Sequence, residues 1–351
     1  MPKRSVRIGQ RVIGLGAPCF LVAEIGINHN GDMDLARKMI DAAARAGADA
    51  VKFQNYRTED FISDRSLTHK YISQGQTVVE SQYDLFKRCE LRRAALRELK
   101  KFSDDRGVLF HSTPTSEEGI RDLVEIGTPV LKNGSDYLTH LPLIRLMGKT
   151  GLPTVLSTGM ATTEEIDDAV RAFRETGNDR VILLHCTSSY PTPPAEANLL
   201  RIPVLAETYR CLVGFSDHTE GAEAAIGAVA LGACWIEKHF TLDKNLPGPD
   251  HRFSADPEEL EVLVKAVRKI EQAMGDSQLG PTSSEAEGRL AYRLSCMAAR
   301  PLSTGHVVTE NDLAFCRPGT GLPPEQARSL VGRQLKHNVE QGEIIRLGDV
   351  R

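Results

Sequence analysis

The chain has no apolar run approaching the roughly eighteen residues that a bilayer-spanning helix needs. Its opening stretch, MPKRSVRIGQRVIG, carries basic groups without the apolar core of a secretory signal. An excess of one charge is also missing: 43 Lys and Arg against 47 Asp and Glu leave a net charge of −4. With no dense basic stripe, nucleic acid is excluded as the main partner. The 7 cysteines are odd in number, scattered, and include no C-x-x-C pair, so no disulfide framework or cysteine zinc site is indicated. Cys186, Cys211 and Cys234 sit inside apolar runs, where a thiol behaves as a small hydrophobe. These absences leave a reduced, cytoplasmic protein that is not embedded in a membrane, of ordinary globular composition.

What is present is a rhythm. Apolar runs at 20–23, 50–53, 108–110, 129–131, 154–156, 181–184, 211–215 and 234–236 alternate with amphipathic stretches such as 33–46, 164–176 and 222–231. The latter carry helix formers with apolar residues at three-to-four spacing. Strand then helix, eight times over, predicts an α/β fold of the (β/α)8 TIM-barrel type. A doubly wound sheet is the alternative, but it would usually show a Gly-rich turn after its first strand, and none is there.

A barrel places its chemistry at the C-terminal ends of its strands. The stretch 211–254 is the most informative: two short strands joined by an Ala/Gly-rich helix, each ending in a polar cluster with one histidine, His218 and His239. Parallel neighbours lie about 4.8 Å apart, so these two imidazoles can meet on one ion, with Asp217, Glu237 and Lys238 beside them. A two-histidine site with open positions suits a divalent metal such as Mn²⁺ better than a closed structural zinc site. Other strand ends offer Lys52 and Lys132, with the hydroxyls of Ser112, Thr113, Ser135, Ser157 and Ser216, a set that holds phosphate or carboxylate. Glu24 is the carboxylate ending the first strand, an acid, base or orienter, or else a structural acceptor. Anion-binding lysines, a Lewis acid and a carboxylate point to carbon–carbon bond formation from an anionic enol donor, or to hydrolysis of a phosphorylated sugar.

Two other segments stand apart. Residues 56–82 form a polar insertion too long for an ordinary βα loop, either a lid or binding loop or a mobile excursion. After 257–274, which reads as a helix, the Gly/Pro/Ser-rich stretch 276–285 is a linker. The expected organisation is a catalytic barrel over 1–275, that linker, and a small turn-rich domain over 286–351, near the lower size limit for an independent core.

The segments AEIGINHNG, VKFQ, HSTP, STGM, HCTSSYPTP, FSDHT, IEKHFTL and PGPDH, followed by RPGTG, resemble the sialic acid synthases, in family order over nearly the whole chain. The resemblance implies a TIM barrel followed by an antifreeze-like (SAF) domain, assembled as a domain-swapped homodimer. It implies condensation of phosphoenolpyruvate with N-acetylmannosamine or a related 2-acetamido sugar and water, giving a nonulosonic acid and phosphate. By motif, His218 and His239 would hold the metal, Mn²⁺ with Mg²⁺ or Co²⁺ as alternatives. Lys52, Thr113, Lys132, Ser135 and Ser216 would hold phosphoenolpyruvate, with Ser157 and Ser188 nearby. Glu24, Gln54, Tyr190 and Asp250 would contact the sugar, Glu24 also managing a proton, and Arg317 would reach the acetamido group from the partner chain. Where the family often reads KIGSDDLTN or KIGSGELTN, this chain has KNGSDYLTH, with Asn133, Tyr137 and His140 as departures that bear on the sugar. The PGPDH stretch leans to the neuraminate and legionaminate branch, away from the pseudaminate one. Two further readings are a metal-dependent phosphosugar aldolase or hydrolase on the same barrel, and a non-catalytic carbohydrate-binding protein.

Overall fold

The computed structural model describes residues 5–14 and 16–351. Its strands, in chain order, begin with an antiparallel hairpin, β1 (Ser5–Ile8) and β2 (Arg11–Gly14). Two barrel strands follow, β3 (Phe20–Gly26) and β4 (Ala50–Asn55), then a second hairpin, β5 (Thr68–Ser73) and β6 (Gln76–Ser81). The barrel continues with β7 (Leu109–Pro114), β8 (Leu131–Asn133), β9 (Thr154–Ser157), β10 (Val181–Cys186), β11 (Leu212–Asp217) and β12 (Trp235–His239). A third antiparallel pair, β13 (Ser295–Ala298) and β14 (Leu313–Cys316), belongs to the C-terminal part.

Eight parallel strands run in the order β7-β4-β3-β12-β11-β10-β9-β8, and the two ends of that order lie side by side, so the sheet nearly closes into a barrel. The expected barrel is the observed fold. Side chains divide into two layers, as alternation along a strand requires. Val22, Val155, Ile182, Leu184 and Trp235 fill the barrel interior, while Ala23, Val51, Leu156, Leu183 and Ile236 meet the helices outside. Val6, Ile8 and Ile13 from β1 and β2 join the interior cluster, a contribution not foreseen from sequence.

Local signals set the helix ends. Asp32 caps Met33–Ala46 by accepting from Asp34 N and Leu35 N, and Gly47, at φ 90°, ends it in the left-handed region where glycine is favoured. Asp256 and Glu259 form a capping box at Pro257–Met274, with proline at the first helical position.

The strands reach further than the apolar runs that announced them. β3 extends through Glu24 to Gly26, β7 through Thr113 to Pro114, and β12 to His239, because ladder hydrogen bonds continue after the side chains turn polar. Glu24, Lys52, Thr113 and His239 are accordingly strand residues, fixed by register. The insertion at 56–82 is structured as well. It holds a short helix, Thr58–Phe61, and the β5–β6 hairpin, whose end is fastened by Gly248 N donating to Ser73 Oγ (3.2 Å) and Gln74 Nε2 donating to Asn245 O (3.0 Å).

The chain divides into two compact units, the first ending at Gly275 and the second spanning Asp276–Arg351. The second has its own core, with Cys296, Leu302, Val308, Leu330, Leu335 and Ile345 buried. Asp312, fully buried, ties it together by accepting from Arg300 (2.6 Å), His306 (2.8 Å) and the Thr309 hydroxyl (2.7 Å). No helix among the described residues is long and apolar enough to cross a membrane, and all 7 cysteines are free.

Candidate active site

The C-terminal strand ends enclose a chamber of about 370 Å³ lined by Glu24, Lys52, Gln54, Thr113, Lys132 and Ser135 on one side. Ser157, Ser188, Tyr190, Ser216, His218, Glu237 and His239 line it as well. All seven residues assigned to the anionic donor are therefore in one place. Parallel register explains how: Glu24 pairs with Lys52 and with His239, and Ser216 pairs with Glu237. In-register residues of parallel strands present their side chains to the same face.

At its floor lie two lysines with almost no solvent exposure, 4% for Lys52 and 2% for Lys132. Lys52 Nζ is 2.9 Å from Glu24 Oε1, 3.5 Å from Glu237 Oε1 and 3.3 Å from Thr113 Oγ1. Lys132 Nζ donates to Ser157 Oγ (2.6 Å) and Asn133 O (2.9 Å), and lies 3.8 Å from Glu237 Oε1. Glu237 thus sits between both cations and also accepts from Ser216 Oγ (3.1 Å). Burial pushes its carboxyl up, but Lys132 and Lys52 outweigh that and hold it down, at about 2. Burial drives Glu24 the other way, up to about 7, against the pull of Lys52 and with Glu237 adding to the rise. Of two carboxylates sharing one lysine, Glu237 keeps the charge and Glu24 takes up a proton near neutrality. Burial lowers Lys132, whereas the two carboxylates overcome burial at Lys52 and raise it.

The histidine pair stands beside this cluster, with ring centroids 5.5 Å apart. His218 Nδ1 is 2.8 Å from the Thr187 carbonyl and so carries the proton, which leaves the Nε2 lone pair as an acceptor, with Ser216 Oγ 3.4 Å away. His239 Nδ1 is buried with no hydrogen-bond partner. Burial lowers both imidazoles, and each is neutral at neutral pH. Two neutral imidazoles, each with a lone pair on an unprotonated nitrogen, are what a divalent cation requires of its ligands. Among the described residues no group of three or more His, Cys, Asp or Glu is arranged for a metal, so water or substrate would have to complete the coordination. Tyr190 packs on the pair, its ring 4.3 Å from His218 and 5.9 Å from His239.

Gly159 shows why the STGM segment needs glycine there. A Cβ would fall 2.4 Å from Ser188 Oγ and 2.7 Å from both Cys186 Sγ and Ser135 Oγ. Gly159 N donates to Ser135 Oγ (3.1 Å), so this backbone approach positions the hydroxyl directly.

Several expectations change. Asp217 and Lys238 flank the histidines in sequence but pair with each other at 2.7 Å, away from the chamber lining. Tyr137 does not line the chamber either: its ring stacks on His140 and packs on the outer core, and Asp136 faces the chamber in its stead. His140 caps the helix Leu141–Lys149, accepting from Leu143 N (3.1 Å). Asn133 is in register with Leu156, a residue of the outer core, and donates to Gly134 O (3.0 Å). None of the three departures from the family pattern lines the chamber. Asp250 lines an adjoining cavity, its carboxylate 3.8 Å from His239 Nδ1. Arg317 belongs to the second unit, exposed, with Nε donating to Tyr292 O (3.1 Å). Glu237 was visible as a neighbour of His239 but had no assigned role; its spacing of two from that histidine was the signal.

The NeuB family model matches residues 39–279 and the SAF domain model matches 295–351. The chain belongs to the NeuB family of sialic acid synthases. It is 37% identical to the N,N'-diacetyllegionaminic acid synthase of Legionella pneumophila, over 95% of this chain and 94% of that one. It is 33% identical to the human N-acetylneuraminate-9-phosphate synthase, over 95% and 93%. Among solved structures, the N-acetylneuraminic acid synthetase of Leptospira borgpetersenii, in complex with citrate, superposes with TM-score 0.74 at 37% identity, covering 81% of this chain and 94% of that chain. The chain is a sialic-acid-type synthase built from a TIM barrel and an SAF domain.

Proposed function

We propose that this synthase condenses phosphoenolpyruvate with N-acetylmannosamine or a related 2-acetamido sugar and water, giving a nonulosonic acid and phosphate. The observation that carries the reading is the buried lysine pair: Lys52 and Lys132, 4% and 2% exposed, share one carboxylate and face hydroxyls in one chamber. Buried cations of this kind suit a small, multiply charged anion carrying both carboxylate and phosphate. Thr113, Ser135, Ser157, Ser188 and Ser216 supply the surrounding hydrogen bonds. Gln54, Tyr190 and Asp250 orient the open-chain sugar so that its aldehyde faces C3 of the donor, and Glu24 holds the proton that the aldehyde oxygen needs as the new bond forms. Water adds at C2 and phosphate leaves with the bridging oxygen.

His218 and His239 would hold a divalent metal, Mn²⁺ with Mg²⁺ or Co²⁺ as alternatives, and when bound it would supply Lewis-acid polarisation of the aldehyde. Free thiols and a phosphoenolpyruvate donor support a cytoplasmic setting. We further infer a domain-swapped homodimer in which Arg317 of the partner subunit contacts the acetamido group. The test is phosphate release across a panel of acetamido sugars with and without phosphoenolpyruvate. Release only when both are present supports the synthase. Consumption of a phosphorylated sugar without phosphoenolpyruvate would establish the aldolase or hydrolase reading instead, and no turnover of any substrate the carbohydrate-binding one.

A further inference from the structure

Each histidine of the pair is preceded by one half of a buried ion pair. Asp217 comes immediately before His218 and Lys238 immediately before His239, and the two are in register across β11 and β12. Alternation along the strands turns Ser216, His218, Glu237 and His239 into the chamber and Asp217 and Lys238 to the opposite face. There both are out of solvent, Lys238 at 5% and Asp217 at 1% exposure.

The contacts of this pair converge on His218. β11 ends at Asp217, so His218 lies just past the strand. Asp217 Oδ1 accepts from Thr219 N (2.9 Å) and Thr219 Oγ1 (2.7 Å), closing a turn around the histidine. Lys238 Nζ then donates to Asp217 Oδ2 and to Thr219 O, both at 2.7 Å. One ammonium thus grips the residues on both sides of His218, and its own backbone leads directly into His239. A buried ion pair contributes little net stability over an apolar pair of the same volume, because desolvation offsets the attraction; its best-attested use is to fix register.

We propose that Asp217 and Lys238 are positioning residues of the metal centre, holding the two histidine-bearing strand ends at the separation a shared divalent cation needs. They act through the backbone and touch neither the ion nor the substrates. The inference rests on the metal reading of His218 and His239, and adds what sets the geometry of those ligands.

The experiment uses the full-length chain, stripped with chelator and titrated with Mn²⁺ alone, bound metal being read by calorimetry and by the electron paramagnetic resonance of the free ion. Lys238→Met is expected to weaken Mn²⁺ binding about tenfold to a hundredfold, the usual effect of losing a group that orients metal ligands. It leaves the Asp217 carboxylate buried without its cation, so it can also lower the melt. The double variant Asp217→Asn/Lys238→Met removes both charges and keeps the side-chain oxygen that Thr219 needs. It is expected to melt close to the parent protein while Mn²⁺ affinity stays depressed, a separation that a purely structural pair would not show. Phosphoenolpyruvate binding, measured without metal, is expected to stay within about twofold of the parent in the double variant, a difference well under 1 kcal/mol. Parent-like Mn²⁺ affinity in the folded double variant would overturn the inference and leave the metal reading standing. An equal loss of phosphoenolpyruvate affinity would overturn it too, by showing a general disturbance of the strand ends. Failure of the parent protein itself to bind Mn²⁺ would overturn the metal reading and this inference with it.

Discussion

Replacing Lys132 with methionine removes one buried ammonium and keeps most of the side-chain volume. In the folded protein it breaks the hydrogen bonds to Ser157 Oγ (2.6 Å) and Asn133 O (2.9 Å), while Glu237 keeps Lys52 at 3.5 Å and Ser216 at 3.1 Å. Hydrogen bonds to a charged group contribute about 1.5–3 kcal/mol each. Relief of the several-kcal/mol cost of burying an ammonium offsets most of that. The net change in stability is therefore expected within about 2 kcal/mol, a shift of roughly 8 °C at most for a domain of this size. Donor binding changes far more. Removing one charged partner from a largely desolvated site costs about 2–5 kcal/mol, or roughly thirtyfold to a few thousandfold in affinity. Calorimetric titration with phosphoenolpyruvate and its KM at saturating sugar read this directly, beside a thermal melt. A folded Lys132→Met protein with unchanged phosphoenolpyruvate affinity would refute the placement of the donor.

His218→Ala and His239→Ala are each expected to abolish turnover while leaving the melt near that of the parent protein; near-normal activity in the presence of chelator would contradict metal binding there. Glu24, raised to about 7 by burial, binds its proton more tightly folded than unfolded, so stability is expected to fall by on the order of 3 kcal/mol as pH rises from about 4.5 through about 7. Glu24→Gln should flatten that slope in melts taken across the window, and an unchanged slope would assign it elsewhere. Asp312→Ala leaves Arg300, His306 and Thr309 without their shared acceptor and is expected to cost about 3–5 kcal/mol, seen as faster proteolysis within 276–351. Mixing inactive His218→Ala and Arg317→Ala subunits, once exchange is shown by mass, should restore activity in hybrid dimers; a dead mixture of proven hybrids would remove Arg317 from the partner's site.

Much of the barrel was legible because its strands are short apolar runs between amphipathic helices, and the helix Met33–Ala46 announces itself by Asp32, its Ala-rich face and Gly47. The strand ends were harder to read. Pairing continues through Glu24, Lys52 and His239 after hydrophobicity stops, since backbone ladders do not need apolar side chains. The β5–β6 hairpin carries little signal because THKYISQGQTVVES is polar on both faces, and the bonds that fasten it come from residues 245 and 248, far along the chain. Side-chain direction explains the remaining misses. Glu237 and Lys238 are adjacent in sequence, yet one joins the lysine cluster and the other pairs with Asp217. Likewise Asp136 reaches the chamber while its neighbour Tyr137 packs on the outer core, a difference set by the turn Ser135–Tyr137 and not by residue type.

The most direct measurement is the mass balance of one reaction: chain, divalent metal, phosphoenolpyruvate and N-acetylmannosamine or its 2,4-diacetamido counterpart. The account predicts a new nine-carbon-backbone acid whose mass is the sum of both substrates plus water minus phosphoric acid, formed in equal amount with inorganic phosphate and absent when either substrate is omitted. Phosphate released from phosphoenolpyruvate alone, or release without the new acid, would contradict it.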